Sequence, residues 1–248
     1  MKIVKTLIVL FAVAMMVPAQ AQDDMTAEQV IANYFETIGG EEAWSNVKGT
    51  KRDGVLKMQG LEIPFKEFMF SDGRMAMEID LSGNVMVWTA YDGETLWQRN
   101  QMSMEAEKSD TEATANFINQ MKDFPSPFLN YKEKGYKVEL LGTDTVDGTE
   151  CYKIQVTKDP IVVNGETQEN APIYYFDTEN FVPIIEESTI QIGPMAGQKI
   201  RSTIGNYQEV DGLYFPFENG SDMQSIVVKD IELNPDVADD YFAMPKGN

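Results

Sequence analysis

Two adjacent carboxylate pairs, Glu186-Glu187 and Asp239-Asp240, come closest in type and spacing to acid–base chemistry. A retaining glycosidase needs two carboxylates about 5 Å apart across its substrate. Neighbours on a strand point to opposite faces, so neither pair shares a proton easily. With 40 acidic residues in the chain, a solvated acidic face accounts for both pairs. Histidine is absent, which removes the commonest general base, the commonest metal ligand and every Ser-His or Cys-His arrangement. Cys151 is the one cysteine. In the run Glu150 to Val156 it falls opposite Tyr152, Ile154 and Val156, as a small strand residue under a helix rather than a reactive thiol, since nothing nearby would activate it. No phosphate-binding glycine loop, nucleophile elbow, zinc motif or EF-hand loop occurs. Asn219-Gly220-Ser221 matches the glycosylation sequon but sits in a turn-rich hairpin. The residues therefore predict no enzyme, no metal and no cofactor.

The elements that must carry any site alternate with period two. Asp72-Gly73, Ser82-Gly83, Asp92-Gly93, Asp147-Gly148, Asn164-Gly165, Asp211-Gly212 and Asn219-Gly220 all fall between strand-like runs. Asp-Gly in Tyr91-Asp92-Gly93-Glu94 predicts a type I′ hairpin, because both central residues need positive φ. Met86, Trp88 and Ala90 then share one face, and Val85, Val87 and Tyr91 the other. Met75, Met77, Ile79 and Leu81 share a face against Arg74, Ala76, Glu78 and Asp80. A few helices punctuate this meander. Thr26-Ala27-Glu28-Gln29 is a capping box, followed by the stripe Val30, Ile31, Tyr34, Phe35 and Ile38, and Gly39-Gly40 ends that helix. A second helix starts at Ser109 or Asp110 and runs to about Lys122, with Ala113, Phe117, Ile118 and Met121 on one face. A last turn follows Asn234-Pro235. The fold class is mainly antiparallel β with a few helices.

Residues 1–21 read as a signal peptide: Lys2 and Lys5, an apolar stretch from Leu7 to Val17 too short to span a bilayer, and Ala19-Gln20-Ala21 as the cleavage site. Residues 22–248 then form one domain, exported to the periplasm or secreted. Cleavage after Ala21 leaves 18 basic against 40 acidic side chains, a net charge of −22. That argues against nucleic acid or anionic membrane surfaces as standing partners, and it would help the protein leave a membrane after a brief visit.

The positive signal is apolar and soft. Fifteen methionines are present, and Met58, Met69, Met75, Met77 and Met86 fall on strands. Methionine adapts to irregular partners. Such a set fills a core or, together with Trp88 and Trp97, lines an adaptable concavity.

Several motifs carry a resemblance. Tyr91-Asp92-Gly93-Glu94-Thr95-Leu96-Trp97 is similar to the "DGKTLW" hairpin of periplasmic lipoprotein carriers of the LolA type. Asp240 to Gly247 resembles that family's C-terminal "F-x-x-P-x-G" signature. Gly142 to Gly148, Tyr174-Tyr175-Phe176-Asp177 and Val210 to Pro216 resemble the outer-membrane lipoprotein-sorting group, in the same order along the chain. The resemblance implies an open half-barrel of curved antiparallel sheet, with helices packed on its concave side over a hydrophobic cavity. It implies a monomeric carrier of lipoprotein acyl chains or another amphiphile, with transient membrane-protein donor and acceptor. A protein-interaction or envelope-sensing module on the same fold is the alternative. The cavity residues expected are Met75, Met77, Met86, Trp88, Leu96 and Trp97, with Phe117 and Ile118 on a lid or plug helix. Leu96 and Trp97 face opposite ways, so only one of them can belong. The carriers' lid arginine stands before the turn; here that place reads Phe70-Ser71-Asp72-Gly73-Arg74, with the arginine after it.

Overall fold

A computed structural model describes residues 25–191 and 193–246; the expected signal peptide lies outside them. The first helix, α1 (Ala27–Thr37), begins at the anticipated capping box. Thr26 Oγ1 accepts from the Gln29 amide at 3.2 Å, and Gln29 Oε1 accepts from the Thr26 amide at 2.8 Å. The helix stops at Gly39, whose φ of 110° suits glycine alone; a Cβ there would meet the Gly212 carbonyl oxygen at 2.4 Å. A short α2 (Glu41–Ser45) carries Trp44, which packs on Phe215.

The strands follow as β1 (Gly49–Met58), β2 (Leu61–Phe70), β3 (Met75–Leu81), β4 (Asn84–Tyr91), β5 (Leu96–Arg99) and β6 (Ala106–Lys108). After α3 (Thr111–Met121) come β7 (Lys137–Val146), β8 (Thr149–Thr157), β9 (Ile161–Val163), β10 (Glu166–Gln168), β11 (Ile173–Asp177) and β12 (Pro183–Thr189). The last three are β13 (Lys199–Val210), β14 (Leu213–Gly220) and β15 (Gln224–Leu233). Thirteen of them form one sheet in the order β6-β5-β4-β3-β2-β1-β15-β14-β13-β12-β11-β8-β7, and β9–β10 is a separate hairpin. All the pairings are antiparallel. The sheet does not close: β6 and β7 are its edges, joined only through α3 and residues 122–136.

The turns largely obey the sequence. Ser82-Gly83, Asp147-Gly148, Asn164-Gly165 and Asp211-Gly212 each have two consecutive positive φ values, as a type I′ hairpin requires. Asp92-Gly93 does not. Only Gly93 has positive φ, and the Asp92 carboxylate accepts from the Glu94 and Thr95 amides at 2.9 and 2.8 Å. The side chain substitutes for a backbone turn and lengthens the loop to four residues. Asn219-Gly220 lies at the end of β14 rather than in a turn. The final turn is a 3-10 helix at Asp239–Tyr241, four residues later than Asn234-Pro235 suggested.

One face of the sheet carries α1. Val30, Ile31, Tyr34, Phe35 and Ile38 bury against Ile154, Val156, Tyr174, Phe176, Ile204, Phe215, Phe217 and Val228. The opposite face of β2–β5 is covered by the C-terminal segment. Phe242 is wholly buried against Phe68, Ala76, Ala90 and Trp97, and its carbonyl accepts from Trp97 Nε1 at 2.9 Å. Arg74 pins this tail: its guanidinium contacts Asp72 and Asp239 and lies over the Phe70 and Phe242 rings. Cys151 is fully buried on that same face; among the described residues it clusters with Val146, Tyr175 and Ile185, all from strands rather than a helix, and burial raises its thiol pKa.

Candidate ligand-binding cavity

Strand register places alternate residues on the face that carries α1. Arg52 of β1, Asn219 of β14, Glu186 and Ser188 of β12 and Tyr174 of β11 all lie there. These residues line one cavity of about 820 Å³. The sheet must therefore curve around it, which makes this the concave face. Asn116, Phe117 and Gln120 of α3, Asp123 and Tyr136 beyond it, and Lys158 and Asp159 beyond β8 supply the wall. Asn116 fastens α3 in place. Its Nδ2 donates to the Val162 carbonyl at 2.7 Å, and its Oδ1 accepts from the Val162 amide at 3.0 Å. Glu112 accepts from the Asn164 and Gly165 amides, both at 2.8 Å. Helix and β9–β10 hairpin are thus fastened together as one flap.

The cavity is more polar than the methionine count suggested. Lys158 Nζ donates to Asp123 Oδ2 at 2.7 Å and to the Tyr174 hydroxyl at 3.3 Å. The Tyr136 hydroxyl donates to Asp123 Oδ1 at 2.9 Å. Burial pushes both tyrosines above the ordinary phenol range, and the Asp123 charge reinforces it. Lys134, which donates to the Ser126 carbonyl, is lowered by burial to about 8, with Asp123 opposing. Arg52 is paired with Glu67. Glu186 differs: among the described residues it makes no salt bridge, and burial raises its carboxyl, with Lys158 opposing. Its neighbour Glu187 points to the convex face. There the Lys199 hydrogen bond, aided by Arg201, holds it low against a smaller burial effect. The adjacent acids do face opposite ways.

Of the eight residues expected at the site, Phe117 alone lines this cavity. It also packs on Tyr91, with centroids 5.3 Å apart. Met75, Met77 and Met86 share the concave face beyond it, half-buried, with Leu56, Ile63 and Met69 on neighbouring strands. Leu96, paired with Tyr91, is on that face and buried. Trp97 is on the other face, only 1% exposed beneath Phe242. Ile118 points outward, because α3 turns Phe117, Asn116 and Met121 inward instead. Trp88 is the extra residue of a β-bulge, half-buried. The bulge also corrects the expected alternation. Met86 and Tyr91 fall on one face and Val87 and Ala90 on the other. Arg74 holds the tail on the convex side and does not line the cavity.

Sequence reasoning missed Asp123, Lys158, Tyr174 and Glu186 as a group. Glu186 was noticed only as half of an adjacent pair. A charged residue on the dry face of an alternating strand was the available signal for it.

The solved structures similar to this chain include two with the same overall fold. A LolA superfamily protein from Nitrosomonas europaea superposes with a TM-score of 0.54 at 13% identity, over 88% of this chain and 98% of the other. A DUF1329 family protein from Desulfovibrio piger gives a TM-score of 0.52 at 12% identity, over 87% of this chain and 96% of the other. No protein-family model and no curated protein matches. The fold is LolA-like: a curved, unclosed antiparallel sheet with helices. At this identity the likeness concerns the fold and carries no residue roles.

Proposed function

We propose that the protein binds an amphiphile along its concave face and carries it through the bacterial envelope as an exported, periplasmic protein. The acyl chains of lipoproteins are the favoured cargo, taken from one membrane protein and given to another. The observation that carries this reading is the division of one concave face into two chemical zones. At one end is the polar cavity of about 820 Å³. At the other is the half-buried strip of Leu56, Ile63, Met69, Met75, Met77 and Met86. An acyl chain laid on the strip contributes about 0.8 kcal/mol per buried CH₂, so ~14–16 carbons are worth more than about 10 kcal/mol in gross transfer. The carrier needs to match the bilayer rather than exceed it. The polar end of the ligand would reach Glu186, which forms no salt bridge among the described residues; that favours a hydrogen-bond donor or ammonium there. Methionine suits the strip because it repacks around chains of differing length.

The test is native mass spectrometry of the exported protein, purified without detergent and then extracted with organic solvent. A bound acylated species, lost in Met77→Asp with Met86→Asp, supports the proposal. A bare protein mass, both as purified and after incubation with a synthetic diacylated lipopeptide, overturns it.

A further inference from the structure

Strand directions in an antiparallel meander decide which turns share a rim. The turns β5–β6, β3–β4, β1–β2, β14–β15 and β12–β13 all lie at one end of the sheet. At or beside them stand Met102, Val85, Leu61, Met223 and Met195, exposed by 93, 60, 61, 45 and 40% respectively. They are five of the eight large apolar side chains exposed among the described residues. The tips themselves carry little charge: Met58-Gln59-Gly60-Leu61, Ser82-Gly83-Asn84-Val85, Asn100 to Glu105, Pro194 to Gln198 and Gly220 to Gln224 hold two charged residues, Glu105 and Asp222. The opposite rim is the reverse. Each of its five turns carries an acid: Asp72, Asp92 with Glu94, Asp147, Glu179 and Asp211. In a chain of net charge −20, this segregation sets an acidic end against a neutral, apolar one.

We propose that the neutral rim docks on the surface of a lipid bilayer. Its knobs belong to alternate gaps between strands, so they recur about 10 Å apart along an arc of roughly 40 Å. They are single flexible side chains on separate tips, with no aromatic or arginine anchor among them. A protein interface concentrates such anchors in one packed patch. A fluid headgroup layer accepts separate knobs without needing a pocket for each. Charge orients the contact, because the acidic rim is repelled from anionic lipid while the neutral rim is not. The sixth connection at this end, the charged β9–β10 hairpin, is folded onto α3 and leaves the five tips clear. The cavity reaches the same end at Gln191 and Asn219, so a docked molecule would present it to the membrane. Docking stands apart from the carrier proposal and is expected whether or not the cavity holds a ligand.

Vesicle co-sedimentation tests it, using protein exported and processed by its host. The wild type should sediment with phosphatidylcholine vesicles, and less with vesicles doped with phosphatidylglycerol at low salt. The variant Leu61→Ser, Met102→Ser, Met195→Ser, Met223→Ser should partition about tenfold or more weakly. Its thermal melting should be unchanged, since these side chains are largely exposed. Wild type left in the supernatant with both lipids, or a variant that sediments equally well, overturns the proposal.

Discussion

Replacing Phe242 by alanine tests whether the C-terminal segment is an integral part of the core. The ring is fully buried, meets Phe70 and Tyr241 edge-on at 5.8 and 5.9 Å, and lies under the Arg74 guanidinium at 5.2 Å. Its backbone carbonyl, which holds Trp97 Nε1, survives the substitution. The loss is therefore the side chain alone, and Phe→Ala at a closed core site costs about 3–5 kcal/mol. For a chain of this size, each kcal/mol moves the melting midpoint by about 2–4 °C, so a drop of about 6–20 °C is expected. Because the residue belongs to a segment that follows β15 and adds no strand to the sheet, the cost is capped by the docking energy of that segment, which puts the lower half of that range first. Thermal melts followed by far-UV circular dichroism, with urea titration for the free energy, give the number. Phe242→Leu should recover most of it. A loss below about 1 kcal/mol would refute the reasoning and make the tail a loosely held appendage.

Two further outcomes follow from the cavity. Burial raises the Glu186 carboxyl in the folded state, so folding favours its protonated form; this contribution is fully present below the ordinary glutamate range and is lost as pH rises through the raised value. Glu186→Gln should therefore stabilise the protein at neutral pH relative to wild type and flatten the stability–pH curve above about pH 4 to 5, as urea midpoints across pH would show; parallel curves would contradict this. Asn116→Ala should free the flap, costing about 1–2 kcal/mol through two lost hydrogen bonds, with faster amide exchange in β9–β10 and little change in β13–β15; unchanged exchange in the hairpin would count against the coupling.

What could be read from the chain was what local chemistry decides. The capping box at Thr26, the start of α3 at Asp110 (one of the two starts expected) and the places of four turn pairs that form type I′ turns came from neighbours in sequence. So did the shared face of Met75, Met77 and Ile79. Three things were hidden for physical reasons. The Asp92 carboxylate preferred its own backbone to a type I′ turn. The bulge at Trp88 inverted the second half of β4, and nothing in the alternation marks an extra residue. The polar cavity unites Arg52, Asp123, Lys158 and Glu186 only once distant strands have paired, so no spacing encodes it. Trp97 was misplaced because its cover, Phe242, comes from the far end of the chain.

The order of strands in the sheet also bears on how the chain reaches its fold. Most ladders join strands that are close in sequence, but β1 pairs with β15, Thr50 opposite Leu233. That seam divides the sheet into two meanders, residues 49–108 and 137–233, joined internally by short hairpins except where residues 158–172, with the β9–β10 hairpin, link β8 to β11. Closing a loop of such length costs entropy that only a completed ladder repays. On this topology the β1–β15 seam spans the longest stretch of chain of any ladder in the sheet and so carries the largest closure cost. The concavity, whose floor draws Arg52 from one meander and Glu186 from the other, comes into being only when the seam closes.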